Sequence, residues 1–246
     1  MGYFLGITVG VSLLRNALSS DALGDYSGVV GRVLQGSEDS AYVLFNDDFV
    51  SRLSDFACGN PRCCAEASLI WSMLEKGFKP LTLEFFSTDT NAAELCTMAL
   101  ARCFSRHVNV AGYVRVRFFG GGDLMRGFVN LVDALGRELS NYLMRGFEVF
   151  IGISGGMKIE VVASVLVASI LGARLVYVSE SGELVILPRL PLSLRREVLE
   201  GDLASLPGDL LESLESLGLL RRGASGLEFP RWLLDFTRGG RPSART

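Results

Sequence analysis

The residues best placed to do chemistry lie in one stretch, Ser154-Gly155-Gly156-Met157-Lys158. It follows the β-branched and aromatic run Val149-Phe150-Ile151-Gly152-Ile153, and an apolar segment of helical length, Ile159 to Leu171, comes after it. Strand, glycine turn and helix start, with a lysine at the junction, is how a parallel α/β sheet offers backbone N–H groups and a cation to a phosphate. A cation at a helix N-terminus is unfavourable by roughly 0.3–1 kcal/mol unless an anion joins it. Only three of the 24 basic residues are lysines, Lys76, Lys79 and Lys158, which makes a lysine in this turn notable. A second junction of the same kind lies near the N-terminus. Tyr3 to Val9 reads as a buried strand, Gly10-Val11-Ser12 breaks it, and a helix runs from Leu13 to Leu18. Simpler readings stay open: Ser12 as a helix N-cap, Gly155-Gly156 as a tight turn, Lys158 as a solvated first-turn residue.

Other chemistries lose their support. There is no Gly-x-Gly-x-x-Gly and no Walker lysine motif, and a single histidine leaves no credible Ser/His/Asp hydrolase order. The five cysteines, Cys58, Cys63, Cys64, Cys96 and Cys103, contain no Cys-x-x-Cys pair, so no metal and no cofactor are expected. Their odd number, with no secretory leader, points to a reducing compartment and a cytoplasmic location. Met1 to Ser20 lacks a basic start and is interrupted by Arg15 and Asn16, and Val161 to Ala173 is too short to span a bilayer. No membrane partner is expected. The net charge of -3 gives no overall attraction to nucleic acid, so any polyanion site is local. Arg102 and His107 have the Arg-x4-His spacing of the HEPN ribonuclease motif. That motif belongs to all-helical domains, whereas this one falls at a helix end between strands; a surface or helix-terminal histidine is the better reading.

The elements that must position these loops alternate. Pro61 opens a helix over Arg62 to Lys76, Leu81 to Phe86 is a strand, and Ser87-Thr88-Asp89-Thr90 caps a helix from Asn91 to about Phe104. Tyr113 to Phe119 is a strand, followed by Gly120-Gly121-Gly122-Asp123 and a helix to about Met144. Phe147 to Ile153 and Arg174 to Val178 are strands, and Glu183 to Leu187 returns as a hairpin. The region around Ala41 to Phe49 is ambiguous, with Asn46-Asp47-Asp48 as a turn or cap. This alternation predicts an α/β fold, a Rossmann-like, mostly parallel sheet with helices on both faces, over residues 1–191. Ligands bind such sheets at the carboxyl ends of strands. Residues 192–246 form a small helical or winged-helix-like element: helices over 192–203 and 209–217, then a hairpin near 218–229. The would-be recognition helix carries Asp209, Glu212 and Glu215 and no base, so DNA binding is not favoured over a packing or dimer-support role.

Several segments resemble the CARF (CRISPR-associated Rossmann fold) domain family. Thr8-Val9-Gly10-Val11-Ser12-Leu13-Leu14-Arg15-Asn16 resembles its first strand-loop, of the form Thr-Val-Gly-x-Ser-Leu-x-x-Asn. Ser154-Gly155-Gly156-Met157-Lys158 resembles its Gly-Gly-Phe-Lys motif, with Met in place of Phe. Ala65-Glu66-Ala67-Ser68-Leu69, Ser87-Thr88-Asp89-Thr90 and Leu187-Pro188-Arg189-Leu190-Pro191 are similar to further family segments, and the resemblance covers roughly residues 3–191. It implies a homodimer that binds cyclic oligoadenylate, the second messenger of type III CRISPR antiviral defence, across the dimer axis. Because only residues 192–246 follow, it also implies a stand-alone ring nuclease that opens cyclic tetra-adenylate to linear products ending in 2′,3′-cyclic phosphate, without metal. On that reading Ser12 and Lys158 are catalytic. Gly10, Val11, Asn16, Thr88, Asp89, Thr90, Ser154, Gly155, Gly156 and Met157 bind the ligand. The alternative is a non-catalytic CARF sensor that regulates a partner or transcription.

Overall fold

Tyr3–Val9 forms β1, six of whose seven residues are buried, because it lies inside a sheet covered on both faces. The computed structural model describes residues 2–119, 122–189, 198–199, 203–223 and 226–238. After β1 come α1 (Ser12–Ser19), α2 (Ser27–Leu34), the short α3 (Glu38–Ala41), α4 (Asp47–Gly59) and α5 (Ala65–Glu75). Then β2 (Leu81–Thr88), α6 (Asn91–Phe104), β3 (Asn109–Val116), α7 (Leu124–Met144), β4 (Glu148–Gly152), α8 (Lys158–Leu171), β5 (Arg174–Val178) and β6 (Leu184–Ile186) complete the sheet region. The chain continues through α9 (Gly208–Ser216), the hairpin β7 (Arg221–Gly223) and β8 (Gly226–Glu228), and α10 (Arg231–Arg238).

The sheet order is β3-β2-β1-β4-β5-β6, with β1 to β5 parallel and β6 antiparallel to β5. The expected Rossmann-like α/β fold is therefore what forms. Side chains of β1 alternate: Leu5, Ile7 and Val9 join one core with α1, α2, α4, α5 and α6, while Phe4 joins the other with α7 and α8. The chain winds from β1 outward to β3, then α7 carries it back across the opposite face to β4. This reversal leaves a crevice between the carboxyl ends of β1 and β4, where open α/β sheets bind ligands.

Local chemistry sets the helix ends. Thr90 Oγ1 accepts from Ala93 N (3.3 Å) to cap α6, and Asp123 Oδ1 accepts from Arg126 N (3.0 Å) to cap α7. Gly172, at φ 69°, supplies the left-handed residue that ends α8. Asn46 caps α4, whose helix over 47–59 the sequence reading did not foresee. Four boundaries differ from expectation by two residues or more. β2 runs on through Ser87 and Thr88, which pair with β1 and β3, so that Thr90 alone caps the next helix. The helix after Pro61 starts at Ala65 rather than Arg62, because Cys63 N bonds back to Asn60 O (2.8 Å) in a turn and Cys64 Sγ caps the helix by accepting from Ala67 N. The third strand starts at Asn109 rather than Tyr113: its first residues pair with Thr82 and Leu83 at the sheet edge, and the register shifts between Leu83 and Glu84. It ends before Phe118, whose φ of 80° turns the chain. Cys58 and Cys103 form a disulfide between α4 and α6, a pairing that the odd cysteine count did not announce.

Most of the helix expected over 192–203, together with Gly120 and Gly121, lies outside the described residues. Beyond them, α10 packs on α7 with Trp232, Leu233 and Phe236 buried in the same core as Phe128, Leu135 and Leu139. Gly136 makes room for it: a Cβ there would lie 2.3 Å from Trp232 Cε2. No described helix is long and apolar enough to cross a membrane.

Candidate functional site

The register brings the two glycine loops together. Ile7 pairs with Gly152 and Val9 with Ser87, so the loops that follow β1, β2 and β4 leave the sheet side by side. The first and the last of these touch. A Cβ on Gly10 would sit 3.7 Å from Gly156 N and 3.9 Å from Glu66 Oε1, and Thr8 Oγ1 donates to Gly155 O at 3.5 Å. Gly155 is required by contact, and Gly156 by contact and by conformation. A Cβ on Gly155 would come within 2.6 Å of Glu66 Oε1; one on Gly156, whose φ is 87°, would come within 2.6 Å of Glu160 Oε2.

Two carboxylates thus lie beneath the glycine turn, one from each helical layer. Glu66, in α5, is 1% exposed; its Oε1 accepts from Gly10 N (3.0 Å) and its Oε2 from Ser12 Oγ (3.2 Å). Glu160, in the first turn of α8, is 2% exposed and accepts from Met157 N. Burial pushes the Glu160 carboxyl up to about 7, the Met157 N–H opposes the shift, and the nearby Glu66 adds to it. Sequence reasoning placed Glu66 in a family segment without giving it a role and did not single out Glu160. The one local signal for Glu160 was its position three residues after the helix N-cap, where a glutamate reaches back to the cap N–H.

The named residues divide by what their polar atoms already do. Ser12 is the first residue of α1 and does not cap it; the N-cap is Val11, with no side-chain cap bond. Asn16 Nδ2 donates to Cys63 O (2.7 Å), tying α1 to the turn before α5. Ser154 Oγ accepts from Val178 N (2.7 Å), fixing the last loop to β5. Thr88 and Thr90 share a hydroxyl contact (3.1 Å), while Asp89 Oδ2 accepts from Phe118 N (2.8 Å) and Arg115 donates to Asp89 O. These side chains hold the loops in shape. The Met157 N–H is engaged by Glu160, so it does not serve an added anion. Lys158 is exposed as the first residue of α8 and has no ion-pair partner among the described residues. Ser12, the Gly155-Gly156 backbone and Lys158 are the parts of the crevice open to a ligand.

Residues 61–190 match the family described as CRISPR-associated protein (Cas_APE2256). The chain belongs to this family. The match agrees with the CARF resemblance, and it covers Glu66, β2, β4, the glycine turn, Lys158 and Glu160. The β1 loop with Gly10 and Ser12 lies before the matched segment. No curated protein matches the chain. In this CRISPR-associated protein the matched segment therefore brings the lysine and both buried carboxylates, and the preceding β1 brings the hydroxyl that one of them holds. His107 takes no part: it lies edge-on to Trp71 with ring centres 4.8 Å apart, and Arg102 pairs with Asp47.

Proposed function

We propose that this CRISPR-associated protein is a ring nuclease. It binds cyclic oligoadenylate, with cyclic tetra-adenylate as the expected ring, across a homodimer axis at the β1/β4 crevice and opens it. The observation that supports this reading is the direct contact of the Gly10 and Gly155-Gly156 loops, next to which lie the Ser12 hydroxyl and Lys158, a lysine with no ion-pair partner among the described residues. The 2′-OH of a ribose gives its proton to solvent as its oxygen attacks the adjacent phosphorus, the bond from phosphorus to the 5′-oxygen breaks, and the 5′-oxygen takes a proton from solvent as it leaves. The product is linear and ends in a 2′,3′-cyclic phosphate. Holding nucleophile and phosphorus in line supplies much of the acceleration. Lys158 offsets the charge that builds on the phosphoryl oxygens, and removing such a stabilising group typically costs on the order of 10²–10³ in rate. No metal is needed in this scheme.

Incubating the protein with cyclic tetra-adenylate in EDTA and following the ring by chromatography tests the reading. Conversion to linear product is expected, slowed at least a hundredfold in Lys158→Ala. A ring left intact after long single-turnover incubation would sink the enzyme and leave the rival, a CARF sensor acting on a partner or on transcription. The helix-hairpin-helix order of the tail is what favours that rival. Against a DNA-reading tail, Arg221 and Arg222 pair with Glu228 and Glu215, which reduces their attraction to phosphates. A promoter fragment that shifts with protein and ring at low salt would support the sensor.

A further inference from the structure

We propose that Glu66 is a positioning residue that turns Ser12 into a hydrogen-bond acceptor, so that Ser12 reads a ribose 2′-OH and not a phosphate. This rests on the ring reading above and deepens it. A serine hydroxyl has one proton and two lone pairs. Ser12 Oγ donates to Glu66 Oε2 at 3.2 Å, which commits the one hydroxyl proton to that carboxyl oxygen. The other carboxylate oxygen is fixed by Gly10 N at 3.0 Å, and Gly155 closes over it with no room for a side chain. Glu66 is 1% exposed, so water does not compete for the contact. Ser12 is not diverted to helix capping either. What Ser12 has left to offer the crevice is lone pairs. A phosphate oxygen, itself an acceptor, gains nothing there; a ribose hydroxyl, a donor, does. The 2′-OH held in this way is the nucleophile of the proposed reaction, while the Gly155 and Gly156 N–H groups and Lys158 remain for the phosphate.

The test compares binding of cyclic tetra-adenylate with that of its all-2′-deoxy counterpart, which keeps every phosphate and base but lacks the hydroxyls. The deoxy ring is not cleaved by 2′-attack, so binding is read at short times by calorimetry. The unaltered protein should prefer the ribose ring by about tenfold or more, as expected for removing the donor from a positioned acceptor. In Glu66→Gln the amide can donate to Ser12 and reverse its polarity, so the preference should collapse toward one while the deoxy ring binds as before. Ser12→Ala should do the same and serves if Glu66→Gln fails to fold. A preference that survives in Ser12→Ala or in folded Glu66→Gln overturns the inference and leaves the ring reading standing. Failure of the unaltered protein to bind either ring overturns both.

Discussion

Gly155 and Gly156 show how tightly the site is built at the scale of single residues. Gly155→Ala drives a methyl group against Glu66 Oε1, and Gly156→Ala adds a positive φ to a clash with Glu160. Each is expected to destabilise the fold by about 1–3 kcal/mol and to abolish ring binding, measured by thermal melting and calorimetry. The buried acids give a sign for pH. Glu84, in β2, is 9% exposed with no hydrogen-bond partner for Oε2 among the described residues, and burial first, then Glu138, push its carboxyl up to about 7 while Arg137 opposes. Glu160 also rises to about 7. In each case the folded chain holds a proton that the unfolded chain releases from about 4.5 upward. Stability is therefore greatest below that value, declines through the interval up to about 7, and levels off above it. Glu84→Gln should stabilise the protein by about 1–2 kcal/mol at pH 8 and leave it unchanged at pH 4, read by denaturant melts. A gain at both pH values would assign the effect to something other than charge. The glycines and the lysine were legible in the sequence because few residue types make such a turn. Glu66 and Glu160 were not, since a glutamate on a helix ordinarily faces water, and their burial requires helices from opposite layers to meet under one loop.

At the scale of elements, legibility followed capping. The Thr90 and Asp123 caps fix α6 and α7 where the sequence placed them. Yet α4 was missed although Phe49, Val50, Leu53 and Ala57 form a buried stripe: Asn46-Asp47-Asp48 read as a turn or cap inside an ambiguous stretch, and exposed residues such as Asp48 and Asp55 interrupt the apolar pattern. The late start of α5 was hidden because a turn ending in a cysteine cap has no strong local signature, unlike a serine or aspartate cap. α10 was not foreseen either, and its packing makes the clearest element-scale prediction. Trp232→Ala removes the ring that fills the space over Gly136 and should cost about 3–5 kcal/mol. Gly136→Ala should be destabilising from the other side of the same contact, because the Trp232 ring must move. If both variants melt like the unaltered protein, α10 does not support α7 in solution.

For the molecule as a whole, alternation of strands and helices announced a parallel sheet, but it could not announce the order of the strands. That order depends on which face each connection crosses, and the return of α7 to β4 beside β1 is what brings Lys158 to Ser12 across 146 residues of chain (158 − 12). A ring of four equivalent nucleotides suits two copies related by a twofold axis, each offering the same crevice. Under the proposed function, calorimetry should give one ring per two chains, and sedimentation should show a dimer at the same concentration. One ring per monomer would require a different geometry. The seat of Trp232 on Gly136 also has a consequence for synthesis. The two residues are 96 positions apart (232 − 136), so a ribosome adding roughly 5–20 residues per second leaves the outward face of α7 bare for about 5–20 s. During that interval the nascent chain carries an uncovered greasy strip beside a nearly finished sheet. Ribosome-stalled chains ending shortly before Leu210 should therefore recruit holding chaperones, and full-length chains released from the ribosome should let them go.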